Sequence, residues 1–302
     1  MQKNPILDLL LFVLFVIGGL FFSYFLIVVI LFPGPGELAN FQFKLTEPLI
    51  HPEIKMQVLI SQGINHFCMF SLAPWIFIKW KEGKVYPFLF SSKQNLHLVW
   101  MVVALVVISS PITAILVEWN ESLILPSSLS WIEDWARQKE NEAKDITQLV
   151  TNLTSPFELA VGLVVIALLP ALGEELVFRG YLQNKINQLG RNPHWAIWIS
   201  AFLFSLIHFQ FFGFVPRMLL GGFFGYLYYY SGQFHLPVIA HFTNNGMMLI
   251  LIYLKNQGAI SYDVEKEEHI PLALAFASLA LTLGLFYAFV KMSKENSQEI
   301  EG

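Results

Sequence analysis

Apolar residues run for about the length of a bilayer crossing in eight stretches of this chain, and polar residues gather between them. A helix needs about 20 apolar residues to cross ~30 Å of hydrocarbon. That criterion places spans at 9–32, 58–78, 98–117, 157–183, 195–212, 215–230, 236–254 and 271–290. The first run is too long for a signal-peptide core and no small-residue cleavage pattern follows it, so it is expected to remain as a transmembrane helix. The fifth and sixth are short and closely joined, with Phe209, Phe211, Phe212 and Phe214 crowding the junction. Between the third and fourth spans, the segment 119–154 sets Trp131, Ile132, Trp135 and Leu149 among Glu133, Asp134, Arg137, Lys139 and Glu140. It reads either as an interfacial amphipathic helix or as a solvated loop. The fourth span has a marked start, because Ser155-Pro156-Phe157-Glu158 supplies an N-cap serine, a proline at the first helical position and a capping-box glutamate.

Composition narrows the class. With 55% hydrophobic and 13% charged residues, the chain lacks the polar surface to cover a soluble body of 302 residues. The predicted fold is all-α, a polytopic transmembrane helical bundle of about eight helices, sited in the cell membrane and in contact with lipid. No internal repeat or low-complexity tract appears, so 1–302 reads as one transmembrane domain. It comprises N-terminal helices and a polar loop (9–150), a core (156–254), and a last helix with its tail (271–302). The net charge of −4 is spread over loops, which points away from nucleic acid. Cys68, the sole cysteine, excludes an intramolecular disulfide and a cysteine-based metal site. Lys3, Lys79, Lys81, Lys84, Lys93, Lys185, Arg191, Lys291 and Lys294 fall on one side of the predicted spans, and nearly as many basic residues are dispersed over longer, more acidic segments on the other, a small bias that favours both termini on the cytoplasmic side.

The chemistry sits inside the apolar runs. An ionised side chain near the bilayer centre costs ~2.5 to 3.5 kcal/mol on insertion scales, so Glu174, Glu175 and Arg179 within one span need a cavity, partners or a task. Glu175 and Arg179 stand one helical turn apart and can pair, while Glu174 points about 100° away. Pro170 removes a helix hydrogen bond four residues before Glu174 and can kink the span there. Two further polar sets follow, Phe204-x-x-x-His208 and His241-x-x-x-Asn245, the second presenting an imidazole and a carboxamide on one face. At ~1.5 Å per residue, Glu174 and His208 lie level, near 20 Å from the loop joining their spans. His241 is only about 9 Å into its span, so it joins them only if the turn 232–234 is recessed or the other loop projects. Plainer readings exist: Glu175 and Arg179 as a buried structural pair, His66 with Gln62 and Asn65 as a packing group, and Gly221-x-x-x-Gly225 as a close-packing face.

Taken in order, Glu-Glu-x-x-x-Arg (174–179), Phe-x-x-x-His (204–208) and His-x-x-x-Asn (241–245) resemble the CPBP family, the CAAX proteases and bacteriocin-processing enzymes also called the Abi family. Phe178-Arg179-Gly180-Tyr181-Leu182 and His235-Leu236-Pro237-Val238-Ile239-Ala240-His241 agree with it. The resemblance implies an intramembrane endopeptidase acting on membrane-associated peptides or proteins, of CAAX or bacteriocin type. By position, Glu174 and His208 would activate the attacking water, His241 and Asn245 would stabilise the oxyanion, and Glu175 and Arg179 would support the site. No cofactor is expected; the alternative is a zinc ion on Glu174, His208 and His241. The rival classes are an ion-coupled transporter, which would bring a repeat of broken helices, and a non-catalytic scaffold or immunity protein.

Overall fold

The computed structural model describes residues 4–34, 36–83, 95–190, 192–261 and 270–301. Lys3, Lys84, Lys93 and Arg191, used above for orientation, lie outside the described residues. The described residues are 86% helical, with no strand among them. Helix α1 (Pro5–Leu31) starts where Asn4 Oδ1 accepts from the Ile6 and Leu7 amides, with Pro5 at the first position. Next come α2 (Glu37–Lys44) and an unbroken helical run made of α3 (Lys55–His66), the π segment π1 (Phe67–Leu72) and α4 (Ala73–Glu82). Helices α5 (Leu96–Glu121) and α6 (Ser130–Thr151) precede a second run: α7 (Pro156–Gly162), π2 (Leu163–Leu168), α8 (Leu169–Glu175), π3 (Leu176–Gln183) and α9 (Asn184–Gly190). The chain ends with α10 (Pro193–Leu206), α11 (Phe214–Ser231), α12 (His235–Asn256) and α13 (Leu272–Glu301).

Among the described residues, five helices are long and apolar enough to cross a membrane: α1, α5, the run 156–190, α12 and α13. They coincide with the first, third, fourth, seventh and eighth predicted spans, and this is a multi-pass membrane protein. The second predicted span falls in the run 55–82, the sixth in the 18-residue α11, and the fifth in α10, which has 14 residues. Helix α10 stops at Leu206, six residues before the predicted end. The chain turns there, and Phe209 takes a left-handed φ of 52° that no α-helix accepts. The segment 119–154 is helical over 130–151, with Trp131 and Trp135 exposed.

Two compact units emerge, and the chain passes between them inside α6, π3 and α12. The first holds residues 1–85, 138–177 and 245–264. Its core packs Ile27, Phe32 and Phe41 with Ile54, Val58, Leu59, Leu149, Val150 and Val165. Ser155 Oγ accepts from the Glu158 amide as predicted. The Glu158 carboxylate, however, takes the Thr154 amide (2.7 Å) and Lys55 Nζ (2.8 Å). The second unit holds residues 86–137, 178–244 and 265–302, around Leu98, Val102, Leu105, Val106, Phe224, Leu227, Leu236, Ala240 and Phe289.

The π segments have a visible cause in two cases: π1 and π2 each end two residues before a proline, Pro74 and Pro170. A proline has no amide for the carbonyl four residues upstream, and widening the turn is one way to absorb that loss. Segment π3 contains no proline, and other groups serve its carbonyls. Ser200 Oγ donates to Phe178 O, and Asn184 Nδ2 to Arg179 O and Gly180 O.

Candidate active site

In the first unit, α8 carries both glutamates into the protein interior, Glu174 being 4% exposed and Glu175 fully buried. Gly173 makes this approach possible, because a Cβ there would stand 2.8 Å from Phe70 Cβ and 2.9 Å from Ser71 Oγ. The close neighbour thus admitted is the α3–π1 run, which brings His66 Nε2 to 3.6 Å from Glu174 Oε1, with the imidazole stacked on Phe70 at 5.0 Å. This contact gives His66, a packing group by its sequence context alone, a carboxylate neighbour. The available signal was the polar trio Gln62, Asn65 and His66 inside an otherwise apolar run.

Asn245 is explained by Pro170. Four residues before that proline stands Ile166, whose carbonyl it cannot serve, and Asn245 Nδ2 donates to Ile166 O at 3.2 Å. A carbonyl only accepts, so the NH2 end of Asn245 faces π2 and the amide plane is set. The backbone defect predicted at Pro170 is thus the anchor of the carboxamide.

In the second unit, Phe204 is the hub. Its ring lies 5.4 Å from His208, 5.9 Å from His241 and 5.2 Å from Phe178, and the Arg179 guanidinium carbon sits 4.9 Å over it. Arg179, His208 and His241 come from three different predicted spans, and one buried ring brings them together. His241 is 4% exposed and also lies 5.5 Å from Phe224. Arg179, 1% exposed, donates through Nη2 to Gly221 O at 2.7 Å, and Gln183 Nε2 donates to Gly225 O at 3.2 Å, one turn further on both elements. A Cβ on Gly221 would meet Phe204 Cδ1 at 3.0 Å, and one on Gly225 would meet Gln183 Oε1 and Ile197 Cγ2 at 2.9 Å. Gly221-x-x-x-Gly225 is the close-packing face predicted. Its carbonyls are also the acceptors that hold Arg179 and Gln183.

His208 was predicted inside a helix and stands just beyond the end of α10. Its Nδ1 lies 2.9 Å from Phe204 O, the carbonyl four residues back. Since that oxygen only accepts, Nδ1 carries the hydrogen and Nε2 of the neutral ring carries the lone pair. The Phe-x-x-x-His spacing thus fixes a tautomer: the phenylalanine carbonyl orients the imidazole, and its ring packs between the two histidines. Among the described residues, no group of three or more His, Cys, Asp or Glu side chains is arranged to hold a metal ion.

Comparison with curated proteins and with solved structures finds no match. A family model does match residues 156–247, that of the type II CAAX prenyl endopeptidase, Rce1-like. The match covers just under a third of the chain. It includes Glu174, Glu175, Arg179, Phe204, His208, His241 and Asn245, and leaves out His66. With the ordered motifs and that match in the same stretch, residues 156–247 of this multi-pass membrane protein are a domain of the Rce1-like family, a family of proteases.

Proposed function

We propose that this protein is an intramembrane endopeptidase that hydrolyses a peptide bond near the carboxyl terminus of membrane-associated, CAAX-type substrates. The observation that carries the reading is the Rce1-like match over 156–247, which contains every residue the chemistry needs. Glu174 takes a proton from water as its oxygen attacks the scissile carbonyl carbon, and His208, with its lone pair on Nε2, shares that work. The carbonyl π electrons move onto oxygen, and the resulting oxyanion is met by His241 and an N–H of Asn245. Collapse of the tetrahedral adduct breaks the C–N bond. The proton held by the site passes to the leaving amine, giving a new carboxylate on the substrate and a short free peptide. Glu175 and Arg179 support the site.

The reaction is proposed without a metal. A carboxamide is a poor zinc ligand and a good donor to a developing oxyanion, and the Nδ2 bond to Ile166 O, which orients the Asn245 amide, supports giving it that role. The test is release of the terminal tripeptide from a farnesylated CAAX peptide by purified protein, with metal analysis of the same sample. Glu174→Gln should abolish release while the protein still purifies folded. Full activity in Glu174→Gln, or no cleavage of any prenylated peptide by the unaltered protein, would reject the reading. Stoichiometric zinc whose removal stops turnover and whose return restores it would replace the metal-free mechanism.

A further inference from the structure

The short segment between α10 and α11 carries His208, and its shape is held from outside the Rce1-like domain. Asn120, near the end of α5, is 1% exposed. Its Nδ2 donates to Phe211 O at 3.3 Å and its Oδ1 accepts from the Val215 amide at 3.0 Å. Both partners are backbone, so the amide orientation is unambiguous: the nitrogen faces a group that only accepts and the oxygen one that only donates. One side chain thus spans the turn from Phe211 to Val215, across more than ninety residues of sequence.

Other contacts close the same turn. Ser205 Oγ donates to Phe214 O at 2.7 Å, and Arg217 Nη2 to Gln210 Oε1 at 2.7 Å. Arg137, near the start of α6, lies 4.2 Å over the buried Phe212 ring and reaches back to Leu123 O. Such redundancy is what a strained backbone needs. Phe209, directly after His208, sits at φ 52°, a conformation that a bulky residue keeps only when its surroundings enforce it.

We infer that Asn120 is a positioning residue: by clamping Phe211 O and Val215 N it fixes the turn that sets the His208 imidazole in place. The catalytic consequence rests on the endopeptidase reading, whereas the clamp does not. Misplacing a reacting group by about 1 Å costs on the order of 100-fold in rate, so the clamp should be legible in turnover.

Two readouts on the full-length protein in detergent separate these points: hydrogen exchange across 209–217, and turnover of the farnesylated CAAX peptide. Asn120→Ala should speed exchange at Val215 by at least about tenfold and lower kcat roughly 10- to 100-fold, with KM within about twofold. Asn120→Asp keeps an acceptor for Val215 but sets a carboxylate oxygen against Phe211 O. It should protect Val215 while still lowering kcat. If Asn120→Ala does not purify, Asn120→Gln displaces the same carboxamide by one methylene and serves both readouts. Unchanged exchange across 209–217 would overturn the clamp. Faster exchange with unchanged kcat would overturn its role in catalysis and leave the endopeptidase reading standing. Absence of cleavage by the unaltered protein would remove the endopeptidase reading, and exchange would still decide whether Asn120 holds the turn.

Discussion

Removing the Arg179 guanidinium should cost more in stability than any other single change at the site. The side chain is 1% exposed, donates to Gly221 O at 2.7 Å, and lies 4.9 Å and 5.7 Å over the Phe204 and Phe224 rings. A hydrogen bond from a charged group contributes about 1.5 to 3 kcal/mol, and each cation–π contact, counted at the lower end of its range, about 0.5 to 1 kcal/mol. Truncation also leaves the Gly221 carbonyl to find another donor in a buried place. For Arg179→Ala these add to roughly 3 to 5 kcal/mol, the range found when one partner of a buried charged group is removed. At about 2 °C per kcal/mol for a chain of this size, the midpoint of thermal unfolding in detergent should fall by roughly 6 °C or more. Arg179→Lys keeps the charge and one donor but loses the planar fork, so it should fall between Ala and the unaltered protein. Glu174→Gln provides the contrast, since it should lose turnover with little change in the midpoint. A midpoint for Arg179→Ala within 1 °C of the unaltered protein would refute this account of the Phe204 cluster.

Two further changes test single contacts. His66 Nε2 stands 3.6 Å from Glu174 Oε1, so His66→Ala should lower kcat by roughly tenfold, and His66→Gln, which restores a donor, should recover part of it; equal rates in all three proteins would return His66 to a packing role. Glu133, outside the spans, has its carboxyl held below the usual value of 4.5 by the Leu125 amide first and Arg137 second. Its contribution is present above that value and is lost as the pH falls through the lowered one, so Trp131 and Trp135 fluorescence should change in the acid range below 4.5. Glu133→Gln should flatten that change, and an identical titration in the variant would show that Glu133 does not anchor the start of α6.

What the sequence disclosed depended on whether a residue acts locally. The start of α7 was legible because an N-cap serine followed by proline acts on its own turn. Five of the eight predicted spans were legible because each is decided by about 20 consecutive residues against one solvent. The end of α10 was not, because an apolar run continues through Phe209 to Phe212 while the backbone turns away, and hydropathy does not report φ. At the candidate site, the polar motifs were legible by type and order, and the contacts that hold them were not. Phe204 appeared only as the start of a spacing, yet it holds the His208 tautomer through its carbonyl and gathers Arg179, His208 and His241 around its ring. His66 and Asn120 stayed hidden for a further reason. A polar residue in an apolar helix announces that it needs a partner, but not which one, and their partners lie about a hundred residues away.

Pro170 and Asn245 were read separately from the sequence, and the structure makes them one device. Pro170 cannot serve Ile166 O, and Asn245 Nδ2 does so at 3.2 Å. It follows that the cost of losing Asn245 depends on the proline. Asn245→Ala alone leaves a part-buried carbonyl short of a donor, worth about 1 kcal/mol or somewhat more. In a Pro170→Ala background the residue at 170 regains an amide four residues beyond Ile166, and the same truncation should cost about 1 kcal/mol less. Pro170→Ala alone offers Ile166 O a competing donor, so it should leave folding intact or improved while loosening the Asn245 amide and lowering kcat several-fold with KM nearly unchanged. Thermal midpoints of the four proteins in this cycle measure the coupling directly. Strictly additive shifts would mean that the Asn245–Ile166 bond owes nothing to the proline. A coupling near 1 kcal/mol together with reduced kcat in Pro170→Ala would show why a helix-breaking residue stands four positions before Glu174: the bond it removes from the helix is the one that orients the carboxamide.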